Sequence, residues 1–154
     1  MNIITGYYDN IAYFTTSTTG HALDFGTLTV ARRTHTGGSN SIRGIFAGGQ
    51  DTSPNTDNNC TNVIDSITIA TTGNAVDFGD LTTGSNNGKM NIMAPGFSST
   101  RGVWPGGQSG GGTAEDTMQY VQIATLGNAL DFGEVADSTG RYGPGGFSNA
   151  HGGL

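Results

Sequence analysis

One six-residue block occurs three times in the chain and constrains the fold more than any other feature. Each copy ends in Asp-Phe-Gly, and the copies are His21–Gly26, Asn74–Gly79 and Asn128–Gly133. Their aspartates, at positions 24, 77 and 131, are spaced 53 and 54 residues apart. A block that returns at such an interval indicates a repeat architecture, in which one supersecondary unit is stacked several times.

The segments that precede the three blocks are predicted to be β-strands. They cover residues 11–19, 64–72 and 118–126, and they are rich in β-branched and aromatic residues. In the second segment, Ile67 and Ile69 alternate with polar or small residues, which is typical of a half-buried strand. The last two segments run into a Gly-Asn pair, a hairpin signal, and the first runs into Gly-His. We therefore expect the chain to reverse there and to return through the Asp-Phe-Gly strand.

Two further segments complete each unit. An apolar segment ending in Gly-Gly covers residues 44–49 and 102–107, and residues 2–7 fit the same frame. A segment of small residues precedes it, at 38–44, 96–102 and 146–152. Each repeat is thus predicted to have four short strands, and the chain almost no helix.

The predicted fold is all-β, a single domain covering residues 1–154. Its repeats are approximately 10–62, 63–116, and 117–154 plus 1–9, so that repeat three is split between the two ends. Pairing of the two ends would remove open sheet edges, as in ring-closed repeat proteins. We therefore expect a closed unit.

Composition excludes several classes of function. The net charge is −6 with six Lys and Arg residues, which argues against nucleic-acid binding and against an anionic membrane surface. No run of about 20 apolar residues is present, so no membrane insertion is expected. Cys60 is the only cysteine, which excludes an internal disulfide and a Cys-based zinc site. The first residues lack the basic and apolar regions of a secretory signal.

The order of these segments resembles a kelch-type β-propeller blade. The resemblance rests on the Gly-Gly strand, the alternating strand, the Asp-Phe-Gly strand and the Leu-Thr-Val-Ala-Arg segment at 28–32. The amino-acid sequence of residues 67–82 and 98–104 is also similar to repeats in virion proteins of marine bacteriophages and related viruses. The resemblance implies kelch-like four-stranded units in a structural protein of a virus particle.

Three such units are too few for a propeller, which needs four to eight blades. Two chains would combine into a six-bladed ring, three sheets would pack around a threefold axis as a prism, or the sheets would form an open array. Because the split repeat implies closure, the compact three-sheet unit and the shared ring are favoured over the open array.

The Asp-Phe-Gly tripeptide is the magnesium-binding motif of protein kinases, but a structural role is predicted here. The other kinase motifs are missing and the tripeptide occurs three times. Phenylalanine is expected in the core, glycine in a turn, and aspartate as an acceptor for backbone N–H groups or arginine. The residues concerned are Asp24, Phe25, Gly26, Asp77, Phe78, Gly79, Asp131, Phe132 and Gly133.

Arginine and exposed aromatic residues are the remaining candidates for binding. Arg43 and Arg101 hold the same place in two repeats, with His151 in the third, and a pair between such an arginine and an aspartate of another repeat is predicted. Aromatic side chains that would stack on glycans or contact a partner are Tyr7, Tyr8, Trp104 and Tyr142. The alignment of Trp104 with Phe46 also fits a core position.

No catalytic residue, metal site or cofactor is predicted. The histidines, at 21, 35 and 151, fall at unrelated repeat positions. The loop 51–59 is rich in oxygen ligands but lacks EF-hand spacing, so a solvated loop is favoured over a calcium site. A hydrolase would require a cleft that gathers an acid pair such as Asp131 and Glu134.

The predicted function is that of a non-enzymatic structural protein, a surface or appendage (decoration or fibre) component of a virion. It would work by rigid display and protein–protein contact, with other virion proteins or itself as partners, after assembly in the host cytoplasm. The alternative is a carbohydrate-binding, lectin-like module that recognises a host surface through its glycans.

Overall fold

The computed structural model describes residues 6–52, 59–82, 90–91, 93–110, 112–136, 139–141, 143 and 145–146. This part of the chain is all-β and contains no helix. It accordingly holds no helix that could span a membrane. Its strands are β1 (Tyr8–Tyr13), β2 (Leu23–Arg32), β3 (Thr36–Ser39), β4 (Arg43–Ala47), β5 (Val63–Thr68), β6 (Val76–Asp80), β7 (Met90–Asn91), β8 (Gly96–Phe97), β9 (Arg101–Ser109), β10 (Ala114–Gln122) and β11 (Leu130–Glu134).

The strands form three antiparallel sheets, which follow one another along the chain. The first sheet is the pair β1–β2, and the second has the order β3-β4-β5-β6. In the third sheet the order is β11-β10-β9, and the far edge of β9 pairs with both β8 and β7. None of these sheets closes on itself into a barrel or ring among the described residues.

The second sheet contains one strand of each of the four predicted kinds, but β3 and β4 lie in the predicted repeat 10–62, and β5 and β6 lie in the predicted repeat 63–116. Strand β4 pairs with β3 through Ala47 and Thr36, and with β5 through Ala47 and Ile64. Strand β6 carries the Asp-Phe-Gly block and pairs with β5. The segments that would add strands to the first sheet, residues 2–5 and 147–152, lie outside the described residues, as does the predicted split of repeat three.

The last hairpin of each sheet has the same register and the same irregularity. Gly26 pairs with Ile11, Gly79 with Ile64 and Gly133 with Met118, and a bulge follows at each of these pairs. The three glycines have φ values of 151°, 147° and 127°. Residues with a side chain rarely adopt these values, so glycine permits the bulge.

Two apolar clusters hold the sheets together. The larger one joins the second and third sheets and includes Ile45, Ile64, Phe78, Trp104 and Ile123. The smaller one joins the first and second sheets through Ile11, Phe25, Leu28 and Ala75. Of the two alternating residues named for the second predicted strand, Ile67 is only partly buried against the smaller cluster and Ile69 is exposed, just beyond the end of β5.

Candidate functional site

The strand Phe25–Thr27 of the first sheet is bonded to the turn Gly73–Ala75 of the second. Gly73 N–H donates to Phe25 O at 2.7 Å, and Ala75 N–H donates to Thr27 O at 2.8 Å. In return, Thr27 N–H donates to Asn74 Oδ1 at 3.1 Å. The Gly-Asn pair therefore bonds to the neighbouring sheet, in addition to lying in a hairpin connection.

The second and third sheets are joined by the same three bonds. Gly127 N–H donates to Phe78 O and Ala129 N–H donates to Asp80 O, both at 2.8 Å. Asp80 N–H donates to Asn128 Oδ1 at 3.0 Å. The repeated block thus has two sides, because its turn donates to the preceding sheet and its strand accepts from the following one.

Close backbone approach explains why glycine is needed at two of these junctions. A Cβ atom on Gly26 would overlap the carbonyl oxygen of Gly73. A Cβ atom on Gly79 would lie 2.5 Å from the carbonyl of Gly127. For Gly133 the nearest atom to such a Cβ is the flexible Met118 Cε, at 3.9 Å. Within the described ranges, no backbone atom approaches the third copy as closely.

The third copy leaves its strand exposed. Phe25 and Phe78 are 8% and 2% exposed, whereas Phe132 is 48% exposed. The prediction of a core position is therefore wrong for Phe132, because no further sheet of the described residues follows it to cover the ring. The aspartates of the last two copies accept from the bulge glycine two residues later: Gly79 N–H donates to Asp77 Oδ1, and Gly133 N–H donates to Asp131 Oδ1. Asp24 is exposed at the equivalent position.

A buried ion pair also joins the first and second sheets. Arg32 Nη2 donates to Asp65 Oδ2 at 2.9 Å, and both side chains are fully buried. Thr29 Oγ1 donates to Asp65 Oδ1 at 2.6 Å. Burial lowers the pKa of Arg32, while the charges of Asp65 and Asp51 oppose that effect. Arg32 remains the cation that neutralises the buried carboxylate.

A neutral residue takes the place of Asp65 at the next junction. Gln119 pairs with Asp131 in the register in which Asp65 pairs with Asp77. Its Oε1 accepts from Thr82 N–H at 2.8 Å, as Asp65 Oδ2 accepts from Thr29 N–H. Sequence reasoning missed this position, because the repeat alignment places Ala12, Asp65 and Gln119 there and they share no chemistry.

The predicted pairing of arginine with aspartate between repeats is wrong for Arg43. Its Nη1 donates to the backbone carbonyl of Ile123 at 2.6 Å, and its guanidinium lies 5.7 Å from the centroid of the Phe78 ring. Arg101 is exposed and lies over the Tyr120 ring at 5.1 Å. The ion pair described above uses Arg32 instead, which has no counterpart in the other copies.

The aromatic candidates lie in different environments. Trp104 is fully buried and packs edge-on against Phe97 at 5.7 Å, so a glycan contact through Trp104 is excluded. Tyr7 is half-buried beneath the guanidinium of Arg33, at 4.9 Å. Tyr8 is exposed. Tyr142 lies outside the described residues.

Local electrostatics perturb two further groups. Burial, followed by the nearby charge of Asp77, raises the pKa of Asp80. Burial, followed by the positive charge of Arg32, lowers the pKa of His35, and Asp65 acts in the opposite direction. His35 packs edge-on against Phe46 at 5.9 Å.

The turn ends of the last two sheets form equivalent surface depressions. The larger has a volume of about 300 Å³ and is lined by Arg43, Thr68, Thr71 and Asn74 among others. The smaller, of about 120 Å³, includes Thr125 and Asn128. Asp131 and Glu134 are exposed on β11 and line neither depression. No group of three or more His, Cys, Asp or Glu side chains in the described ranges could hold a metal ion.

No model of a known protein family matches the chain, and no curated protein matches it significantly. The sheet junctions and the exposed β11 strand therefore carry the functional argument.

Proposed function

We propose that the chain is a non-enzymatic structural protein that works by rigid display and protein–protein contact. The observation that carries this proposal is the pair of interlocked junctions, which fix three sheets relative to one another and leave the β11 strand with its apolar side chains exposed. Rigid attachment of adjacent elements suits display of loops, and an exposed apolar strand suits contact with a partner protein.

The finer architecture that we propose consists of three kelch-like repeats. The common register and bulge of the three hairpins support this, as does the pair of identical junctions. Residues 1–9 would then complete the third repeat. The closed prism and the shared six-bladed ring remain the two arrangements consistent with that completion.

The particle that we propose for this display is a virion, with the chain as a surface or appendage component. This assignment is supported by the amino-acid sequence of residues 67–82 and 98–104, which resembles repeats of bacteriophage virion proteins. Other virion proteins would be its partners, and the virion its location.

Particle purification tests the virion assignment. An antibody against the whole chain is used to probe density-gradient fractions of particles, with the major capsid protein as the positive control. The expected result is co-migration with the capsid protein and immunogold label on the particle surface. Recovery of the chain only in the soluble fractions would refute the assignment.

A second candidate function is carbohydrate binding. The depression at the turn end of the second sheet favours it, because Arg43, Thr68 and Thr71 offer donors and acceptors to sugar hydroxyl groups. A glycan array with the wild-type chain tests this, alongside Thr71→Arg and the matched variant Thr125→Arg in the smaller depression. Loss of a glycan signal in the Thr71 variant alone supports the function, and the absence of any signal with the wild-type chain removes it.

A further inference from the structure

We propose that the β11 strand of one copy binds the turn Gly20–Ala22 of a second copy, head to tail. The contact would repeat the junction that already occurs twice within the chain. The inference deepens the proposed function, on which it rests only for its biological setting, by naming the partner of the exposed strand.

Exposure of the third phenylalanine reflects a missing neighbour. Phe25 and Phe78 are buried by the turn of the following copy, and Phe132, in the same hairpin register, is not. Two residues earlier, exposure is the same in all three copies: Leu23 57%, Val76 57% and Leu130 56%. The three strands are thus equivalent at this position and differ at the phenylalanine, where a following sheet would lie.

The space beside Gly133 matches that neighbour. The bulge conformation favours glycine in every copy, but only at Gly26 and Gly79 is the adjacent space filled, in each case by the glycine of the following turn. Beside Gly133, among the described residues, the space holds only the flexible end of Met118, whose Cε lies 3.9 Å from the Cβ position. Gly20 is the glycine at the same place in the first copy, and it is exposed.

The first turn offers the complementary groups. Ala75 and Ala129 are buried in the clusters that contain Phe25 and Phe78, whereas the equivalent Ala22 is exposed. On docking, Ala22 would pack against Phe132. By analogy with the two internal junctions, Gly20 N–H would donate to Phe132 O and Ala22 N–H to Glu134 O.

The side chain of the first turn also fits. His21 stands where the other copies have asparagine, and the Nδ1 of a neutral imidazole accepts a hydrogen bond as the amide oxygen does. His21 would therefore accept from Glu134 N–H, as Asn74 accepts from Thr27 and Asn128 accepts from Asp80.

Each internal junction has a hydrogen-bonded pair of polar residues, and at the proposed contact alanine stands in both positions of that pair. Thr29 bonds to Asp65 and Thr82 to Gln119. The corresponding residues of the proposed contact are Ala136 and Ala12, both exposed in the single chain. Removal of both partners avoids burying an unpaired polar group, whereas removal of one would be costly.

An arginine is placed to complete the contact. Arg43 of the second sheet donates to the carbonyl of Ile123 in the third. Its counterpart Arg101 is exposed, and the residue that corresponds to Ile123 in the first copy is Thr16. Arg101 would donate to Thr16 O of the second copy.

A second copy is favoured over the same chain, because the two surfaces lie at opposite ends of the series of sheets. The first sheet contacts the second through β2 and β6, and the second contacts the third through β3 and β8. Both Ala22 and Phe132 remain exposed, so the described part of one chain does not join them. Such a heterologous contact gives a ring if it closes and a filament if it does not.

Sedimentation velocity with reversed variants tests the proposal. We expect the wild-type chain to sediment at a multiple of its 15.8 kDa mass, and Ala22→Arg and Phe132→Arg each to sediment as monomers. A mixture of the two variants should form a one-to-one complex, because each retains the surface that the other lacks. Ile42→Arg, which places the same charge at an exposed apolar site outside the contact, should behave as wild type.

Two results would overturn the proposal. A wild-type chain that stays monomeric at several hundred micromolar excludes the contact, and an Ala22→Arg variant that assembles like wild type excludes this turn. His21→Asn, which restores the Gly-Asn-Ala turn, should retain assembly, and circular dichroism checks that every variant is folded.

The two proposals fail separately. Mass in solution is measured without particles, so an assembling chain that is absent from particles removes only the virion assignment. A monomeric chain that is present on particles removes only self-docking.

Discussion

Single side chains at the junctions differ in chemistry although their backbones match. Asp65 is charged and pairs with Arg32, while Gln119 is neutral and occupies the same register position. Both accept a hydrogen bond from the backbone N–H of a threonine in the preceding sheet. The junction therefore requires an acceptor, and the charge is specific to the first junction.

Removal of the Asp65 charge is expected to be severe. Asp65→Asn leaves the Arg32 guanidinium buried without a counter-ion, so the free energy of unfolding should fall by about 3–5 kcal/mol. Urea denaturation measures the change. Asp9→Asn, the same substitution at an exposed site, should stay within about 0.5 kcal/mol of wild type. A loss below about 1 kcal/mol for Asp65→Asn would contradict the structural role of the pair.

Replacing Asp80 with asparagine is expected to increase stability, in contrast to the same replacement of Asp65, and this effect should depend on pH. Its pKa is raised in the folded state, so the folded state binds the proton more tightly than the unfolded state does. Ionised Asp80 therefore costs stability above that pKa, and the cost disappears as the pH falls through it. Asp80→Asn should raise the Tm at pH 7 and change it little near pH 3.

Thermal unfolding at the two pH values measures this effect, with Asp24→Asn as the control in the first copy. An equal shift of the Tm at both pH values would show that the charge of Asp80 is not its cause.

The Asp-Phe-Gly hairpin is the element in which the effect of local sequence is most clearly distinguished from the effect of packing. All three Asp-Phe-Gly hairpins share their register and bulge, so their backbone follows from the local sequence. Their burial does not, because it depends on a neighbouring sheet. Matched substitutions in equivalent copies can therefore isolate the contribution of packing.

The destabilisation caused by replacing the phenylalanine of Asp-Phe-Gly with alanine should depend strongly on which copy is changed. Phe78→Ala removes a buried ring from the larger cluster and should cost about 3–5 kcal/mol. Phe132→Ala, at a half-exposed position, should cost less than about 1 kcal/mol in the monomer. Chemical denaturation in the Ala22→Arg background, where the chain is expected to be monomeric, compares the two. Equal losses would mean that Phe132 is covered in solution.

Alanine in place of the bulge glycine gives a second comparison. Gly79→Ala and Gly133→Ala share the strain of positive φ, but only the former places a Cβ against the backbone of Gly127. Gly79→Ala should therefore be the more destabilising, by roughly 1–3 kcal/mol of overpacking. The difference in free energy of unfolding between the two variants is the measurement, and a difference near zero would argue against the close approach.

The molecule as described is a series in which each sheet contacts its neighbour. Such an arrangement resembles a solenoid in its energetics, because stability is a sum over units and their interfaces. The two end surfaces, β11 and the turn Gly20–Ala22, are then the natural places for association.

Hydrogen exchange tests whether further strands complete the first sheet. A two-stranded sheet is marginal alone, so completion by residues 1–9, as the proposed split repeat requires, should protect the amides of β1 and β2 as well as those of β4, β5, β9 and β10. Exchange followed by mass spectrometry measures the rates. Faster exchange confined to β1 and β2 would contradict the split repeat.

The all-β class and the four strands of the second sheet were predictable from the sequence, because they depend on local signals. A period of two identifies a strand. The glycine of Asp-Phe-Gly was predicted in a turn and lies instead at a bulge within the strand. The alignment of Trp104 with Phe46 likewise indicated its burial, whereas aromatic character alone suggested a surface role.

The contacts between sheets could not be obtained in this way. Only the first copy has an arginine at the position of Arg32, and its partner Asp65 lies 33 residues later in the chain. No repeated sequence pattern therefore marks the pair. Phe25 and Phe78 are buried and Phe132 is exposed, although all three stand in the same Asp-Phe-Gly tripeptide. Local sequence determines the shape of each hairpin, because backbone sterics act over a few residues. Packing determines which copy is covered, because it depends on segments about 50 residues apart and, at β11, on a surface that no other described part of the chain covers.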